Sequence, residues 1–111
     1  MADATPMHPN QIDRKRIERA LALRERYRYV TPQVIPDEDE RGYRIESPCC
    51  SRNVEPEGGI IDIALLKYIK PHWLLYRKDH EYSTWVLHSV ADTLNAALAV
   101  LLPDEERVFW P

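Results

Sequence analysis

His72-Trp73-Leu74-Leu75-Tyr76-Arg77-Lys78 and Ser83-Thr84-Trp85-Val86-Leu87-His88 are two β-forming runs separated by the polar segment Asp79-His80-Glu81-Tyr82. Aromatic and branched side chains suit a pleated, half-buried backbone, and the polar break lets the chain return on itself, so the segment predicts a β-hairpin. Alternation along the first run places Trp73 and Leu75 on one face and Tyr76 and Lys78 on the other.

Upstream, the β-branched and apolar run Ile60 to Ile69 suits a central strand, with helix as the competing reading from Ala64 to Ile69. It follows a turn containing Gly58 and Gly59. Before that turn, Tyr43, Ile45 and Ser47 alternate with Arg44 and Glu46, the pattern of a half-buried strand. Arg28 to Ile35 is β-forming but interrupted by Pro32, which predicts an edge strand or an extended segment, and the acidic stretch Pro36 to Gly42 connects it onward.

Helices are expected at both ends of this strand series. Asn10, with Asp13 three residues later, has the form of a capping box, and Ile17, Ala20, Leu21, Leu23 and Tyr27 form an apolar stripe after it. Ser89 with Asp92 is read as the start of a second helix carrying Val90, Leu94, Ala97, Leu98 and Leu101, stopped by Pro103. The apolar end Val108-Phe109-Trp110-Pro111 is expected to pack back on the domain. The sum is an α+β fold: an antiparallel sheet of about four to five strands with an N-terminal and a C-terminal helix packed on one face. Residues 1–9 are expected to be a flexible leader and residues 10–111 a single α+β domain.

The 111 residues, 44% hydrophobic and 30% charged, suffice for one core and argue against global disorder. A formal net charge of -3 gives no general attraction to nucleic acid. The basic side of the first helix, with Arg14, Lys15, Arg16 and Arg19, is interspersed with acids and is read as a solvated face, with weak nucleic-acid binding as a second alternative function. The longest apolar runs fall far short of the roughly 20 residues needed to span a bilayer. No basic region followed by an apolar stretch opens the chain, so the expected location is cytoplasmic.

The densest chemistry lies in Ser47-Pro48-Cys49-Cys50-Ser51-Arg52-Asn53. Adjacent thiols on an extended chain point in opposite directions, which fits neither paired zinc ligands nor an unstrained disulfide. Cys49 is expected to face inward and Cys50 outward. Arg52 and Asn53 are stronger candidates for recognition, because a guanidinium fork and an amide bind a carboxylate or phosphate with defined geometry. Asp62, set among apolar residues, is either a partner of Arg52 or an outward carboxylate. The candidate binding residues are Cys50, Ser51, Arg52, Asn53, Asp62, Tyr76, Arg77 and His80.

The runs Ser47 to Val54, Ile61 to Ala64 and Trp73 to His80 resemble a small family of uncharacterised bacterial proteins, over about residues 11 to 111. The resemblance implies a single-domain bacterial protein and transfers no activity and no functional residue. The expected function is a small non-catalytic binding or protein-interaction module, with a homodimer, another protein or a small anionic ligand as candidate partners and no cofactor. The alternative is a thiol-dependent or metal-assisted enzyme centred on Cys49, Cys50 and His80.

Overall fold

The computed structural model describes residues 9–23, 31–38, 41–48 and 59–110. They form helix α1 (Gln11–Ala22), strands β1 (Gln33–Pro36), β2 (Gly42–Pro48), β3 (Ile60–Ile69), β4 (His72–Asp79) and β5 (Thr84–Ala91), and helix α2 (Leu94–Leu101). The strands make one five-stranded antiparallel sheet in the order β1-β2-β3-β4-β5. The fold is α+β, and Ala64 to Ile69 are strand rather than helix.

Asn10 and Asp13 cap α1 reciprocally, as expected. The Asn10 side-chain oxygen accepts from the Asp13 N–H at 2.9 Å, and the Asp13 carboxylate accepts from the Asn10 N–H at 3.0 Å. Ile17 and Leu21 carry the buried stripe, whereas Leu23 stands at the C-cap and is 77% exposed, contrary to its expected place in that stripe. The helix ends one residue before Leu23, so the periodic spacing no longer applies to it.

The expected start of the second helix is corrected. Ser89, Val90 and Ala91 continue β5, paired with Leu75, Leu74 and Trp73. The helix is capped instead by Thr93, whose hydroxyl accepts from the Ala96 N–H at 3.1 Å, while Asp92 sits 3.3 Å from His72 Nδ1. Ladder hydrogen bonds to β4 outweigh a local cap signal that Thr93 supplies equally well four residues later.

Inner-face residues Val34, Tyr43, Ile45, Ile61, Leu66, Trp73 and Leu75 meet Ile17 and Leu21 of α1 and Leu94, Ala97, Leu98 and Leu101 of α2. Phe109 and Trp110 complete this core, so the C-terminal segment packs back as expected. Asp104 holds it there: its buried carboxylate accepts from the N–H groups of Val108, Phe109 and Trp110 at 2.8 to 3.3 Å, and Trp110 Nε1 donates to the Leu101 carbonyl at 3.2 Å. Tyr43 donates its hydroxyl to the Asn10 carbonyl at 3.0 Å and so ties β2 to the start of α1. Burial raises its pKa.

Two register shifts decide which side chains reach which face. Ile45 pairs with Ala64 but Glu46 pairs with Asp62, leaving Ile63 as an extra residue in β3. Leu75 pairs with Ser89 but Tyr76 pairs with Leu87, leaving His88 as the extra residue in β5. Each bulge interrupts strict alternation. Ile63 and Ala64 therefore both enter the core, while Asp62 and Leu65 face away from it. Gly42 is required where β2 meets β3, because a Cβ there would collide with the Leu66 carbonyl.

Candidate functional site: the outer face of the sheet

Directly paired residues in an antiparallel sheet share a face, so the register defines the outer surface row by row. One row crosses all the strands: Ile35, Arg44, Leu65, Tyr76 and Leu87. Beside it runs Lys67, Leu74 and Val90. On the other side lie Glu46 with Asp62, and Lys78 with Trp85.

The charged members of these rows form a chain of contacts. Arg44 lies 3.2 Å from Glu46 and 3.3 Å from Asp62 Oδ1, and Lys78 Nζ lies 3.2 Å from Asp62 Oδ2. The Arg44 Nε approach to Asp62 is an ion pair rather than an aligned hydrogen bond. Lys78 also sits over the Trp85 ring, 4.8 Å from its centroid, where the ring quadrupole attracts a cation. Both oxygens of Asp62 are thus engaged, one by each cation.

The apolar part of the surface lies over β4 and β5. Leu87 is 48% exposed and Val90 55%, with the half-buried Leu74 and Tyr76 beside them. Leu65, in the middle of the long row, is 3% exposed although it stands outside the core cluster. The surface thus combines an apolar region with a border of mutually paired charges.

The expected site residues are distributed unequally over this geometry. Asp62 and Tyr76 lie on the outer face, and Asp62 is an outward carboxylate partnered by Arg44 and Lys78. His80 stands in the β4–β5 turn, where Asp79 Oδ1 accepts from the N–H groups of Glu81 and Tyr82 at 3.0 and 3.2 Å. Burial and the neighbouring Lys78 lower its pKa, opposed by Asp62 and Asp79. Arg77 pairs with Ala64 and Val86, which places it on the inner side of the sheet, apart from Tyr76. Cys49, Cys50, Ser51, Arg52 and Asn53 lie outside the described residues.

Arg44, Glu46, Lys78, Leu87 and Val90 were not among the expected site residues. Arg44 and Glu46 are legible as outward positions from their alternation with Tyr43 and Ile45, but their junction with Asp62 depends on the bulge at Ile63. Val90, expected in the stripe of the second helix, instead pairs with Leu74 on the sheet.

A cavity of about 170 Å³ lies beside the C-terminal segment, lined by His88, Val100, Asp104, Glu106, Val108 and Phe109 among others. His88 places Nδ1 3.2 Å from the Ser89 hydroxyl and Nε2 3.1 Å from Glu106, with its ring against Phe109 at 4.9 Å between centroids. Asp104 is occupied by backbone N–H groups. These groups hold the C-terminal segment against β5, which is a packing role. Among the described residues no group of three or more His, Cys, Asp or Glu side chains is placed to share a metal ion. No helix among them is long and apolar enough to cross a membrane.

Residues 5–111 match the family described as Domain of unknown function (DUF3024), and the chain belongs to that family. Neither the curated proteins nor the solved structures contain a significant match to it.

Proposed function

We propose that this DUF3024 chain is a small non-catalytic protein-interaction module of the bacterial cytoplasm, and that it works through the outer face of its sheet. The observation that carries the reading is the exposed apolar pair Leu87 and Val90, continuous with Leu74 and Tyr76 and bordered by paired charges. Protein interfaces combine a desolvated apolar centre, often with aromatic residues, and a polar rim, and this face has both parts.

A small anionic ligand is less well supported. Arg44 and Lys78 are each held by Asp62, so an anion would have to displace a carboxylate already in place. The bacterial and cytoplasmic parts of the proposal rest on the sequence resemblance and on the absence of an apolar run of membrane length among the described helices.

Photo-crosslinking in living cells tests the reading. A photoreactive amino acid at position 87 is expected to give a discrete protein adduct, while the same residue at position 18, on the exposed side of α1, gives none. Equal labelling at both positions, or no adduct from position 87, would sink the interaction reading.

A further inference from the structure

We infer that α1 docks this chain on an anionic lipid bilayer, through the side of the helix that points away from the core. The contact goes beyond the sheet-face reading and uses none of its residues. At about 100° per residue, Ile12, Lys15, Arg16 and Arg19 fall within an arc of about 100°, opposite the buried Ile17 and Leu21. All four are exposed, Ile12 at 59%. Leu23 follows at the C-cap, 77% exposed and about 16 Å along the axis from Ile12.

The charge on this side has one sign. Of the acids of α1, Asp13 is buried in the cap, and Glu18 lies off the arc, 3.9 Å from Arg14. Among the described residues no carboxylate stands within ion-pair distance of Lys15, Arg16 or Arg19. The cations of the outer sheet face differ, because Arg44 and Lys78 are each held by Asp62. Although the whole chain carries -3, a local field is set by nearby charges, and three open cations on one helix face complement an anionic surface.

The apolar side chains select among anionic surfaces. A phosphodiester backbone would pair with the cations and leave Ile12 and Leu23 in water. A bilayer interface offers anionic headgroups to Lys15, Arg16 and Arg19 and, just beneath them, an apolar boundary for Ile12 and Leu23. A helix lying along a plane presents all its outward side chains to it at once. Each basic side chain near an anionic leaflet is worth about fivefold in binding, so three give a preference of roughly a hundredfold over a neutral bilayer.

Cosedimentation of the full chain with vesicles of phosphatidylcholine, with and without phosphatidylglycerol, tests this. The chain is expected to bind the phosphatidylglycerol vesicles roughly a hundredfold more tightly than the neutral ones, and added salt should weaken that binding. Arg16→Gln and Arg19→Gln each lower it about fivefold. Ile12→Ser and Leu23→Ser lower it as well, which separates insertion into the interface from attraction between charges alone. Leu87→Ser, on the sheet, leaves it unchanged. Circular dichroism verifies folding, and where a glutamine variant unfolds, Lys15→Ala and Arg19→Ala take its place. Equal binding to both vesicle types, binding that survives loss of all three cations, or indifference to Ile12 and Leu23 overturns the inference. A chain that ignores both vesicle types but retards duplex DNA overturns it in favour of nucleic acid. None of these outcomes alters the adduct expected from position 87, so the two readings fail separately.

Discussion

The two faces of the sheet are built from the same strands, and adjacent cross-strand rows show how differently they are used. Tyr43, Leu66, Leu75 and Ser89 form an inner row, while one residue away in β2 and β3 the row Arg44, Leu65, Tyr76 and Leu87 faces out. Leu66 and Leu75 are fully buried beneath helices and the C-terminal segment, whereas Leu87 is half exposed and Arg44 is tied to Glu46 and Asp62. Burial against α1 and α2 makes one face a core. On the other, side chains of equal apolar character contribute to a surface.

The largest test of that difference compares two leucines. Leu75→Ala is expected to lower stability by about 3 kcal/mol, from lost transfer energy and the cavity left behind, while Leu87→Ala changes it by less than about 0.5 kcal/mol. Urea unfolding of monomeric protein measures both. Equal losses would mean that the outer face is also core.

Next in size is the clasp that closes the inner face. Asp104→Ala leaves the N–H groups of Val108, Phe109 and Trp110 without their carboxylate and is expected to cost about 2 kcal/mol. Amide hydrogen exchange at Phe109 and Trp110 should accelerate before exchange in β3 does. Unchanged protection at those amides would show that Phe109 and Trp110 are held by packing and not by Asp104.

On the outer face the expected effects are smaller. A double-mutant cycle on Asp62 and Lys78 should give a coupling of about 0.5 kcal/mol that declines with added salt, since both side chains are partly solvated. A coupling several times larger and insensitive to salt would place this lattice with the core in its energetics.

The smallest effect concerns His80. Burial and Lys78 lower its pKa in the folded protein, so around the ordinary imidazole value the unfolded chain binds more protons. His80 therefore contributes stability that is present above its unfolded pKa and is lost as pH falls through the lowered folded value. His80→Gln should flatten the acid side of the stability profile, and an NMR titration of His80 at or above the ordinary value would contradict the assignment.

Much of the architecture was legible because its causes are local. Asn10 and Asp13 are close enough in the chain to cap α1 by themselves, and Trp73, Leu75 and Tyr76 declare the two faces of β4 by alternation. The start of α2 was not legible, since Ser89 and Thr93 both offer a hydroxyl cap and the pairing of Ser89 to Ala91 with β4 selects between them. The candidate surface was only partly legible. Asp62 and Tyr76 could be singled out as polar or aromatic exceptions in apolar strands, but Arg44 and Lys78 come from other strands and meet Asp62 through register. Arg77 and Tyr76, neighbours on β4, face opposite ways and so cannot share one surface.

By itself, then, the amino-acid order determined the α+β class, the capped first helix, the β4–β5 hairpin and the apolar C-terminal segment, because propensity, capping and alternation act over a few residues. The tertiary structure alone decided the two bulges, the length of β5 and the convergence of Glu46, Arg44, Asp62, Lys78 and Trp85 on one surface. The physical reason is that a one-residue shift in register reverses the face of every side chain beyond it. That shift is set by which strands pair and what the helices bury.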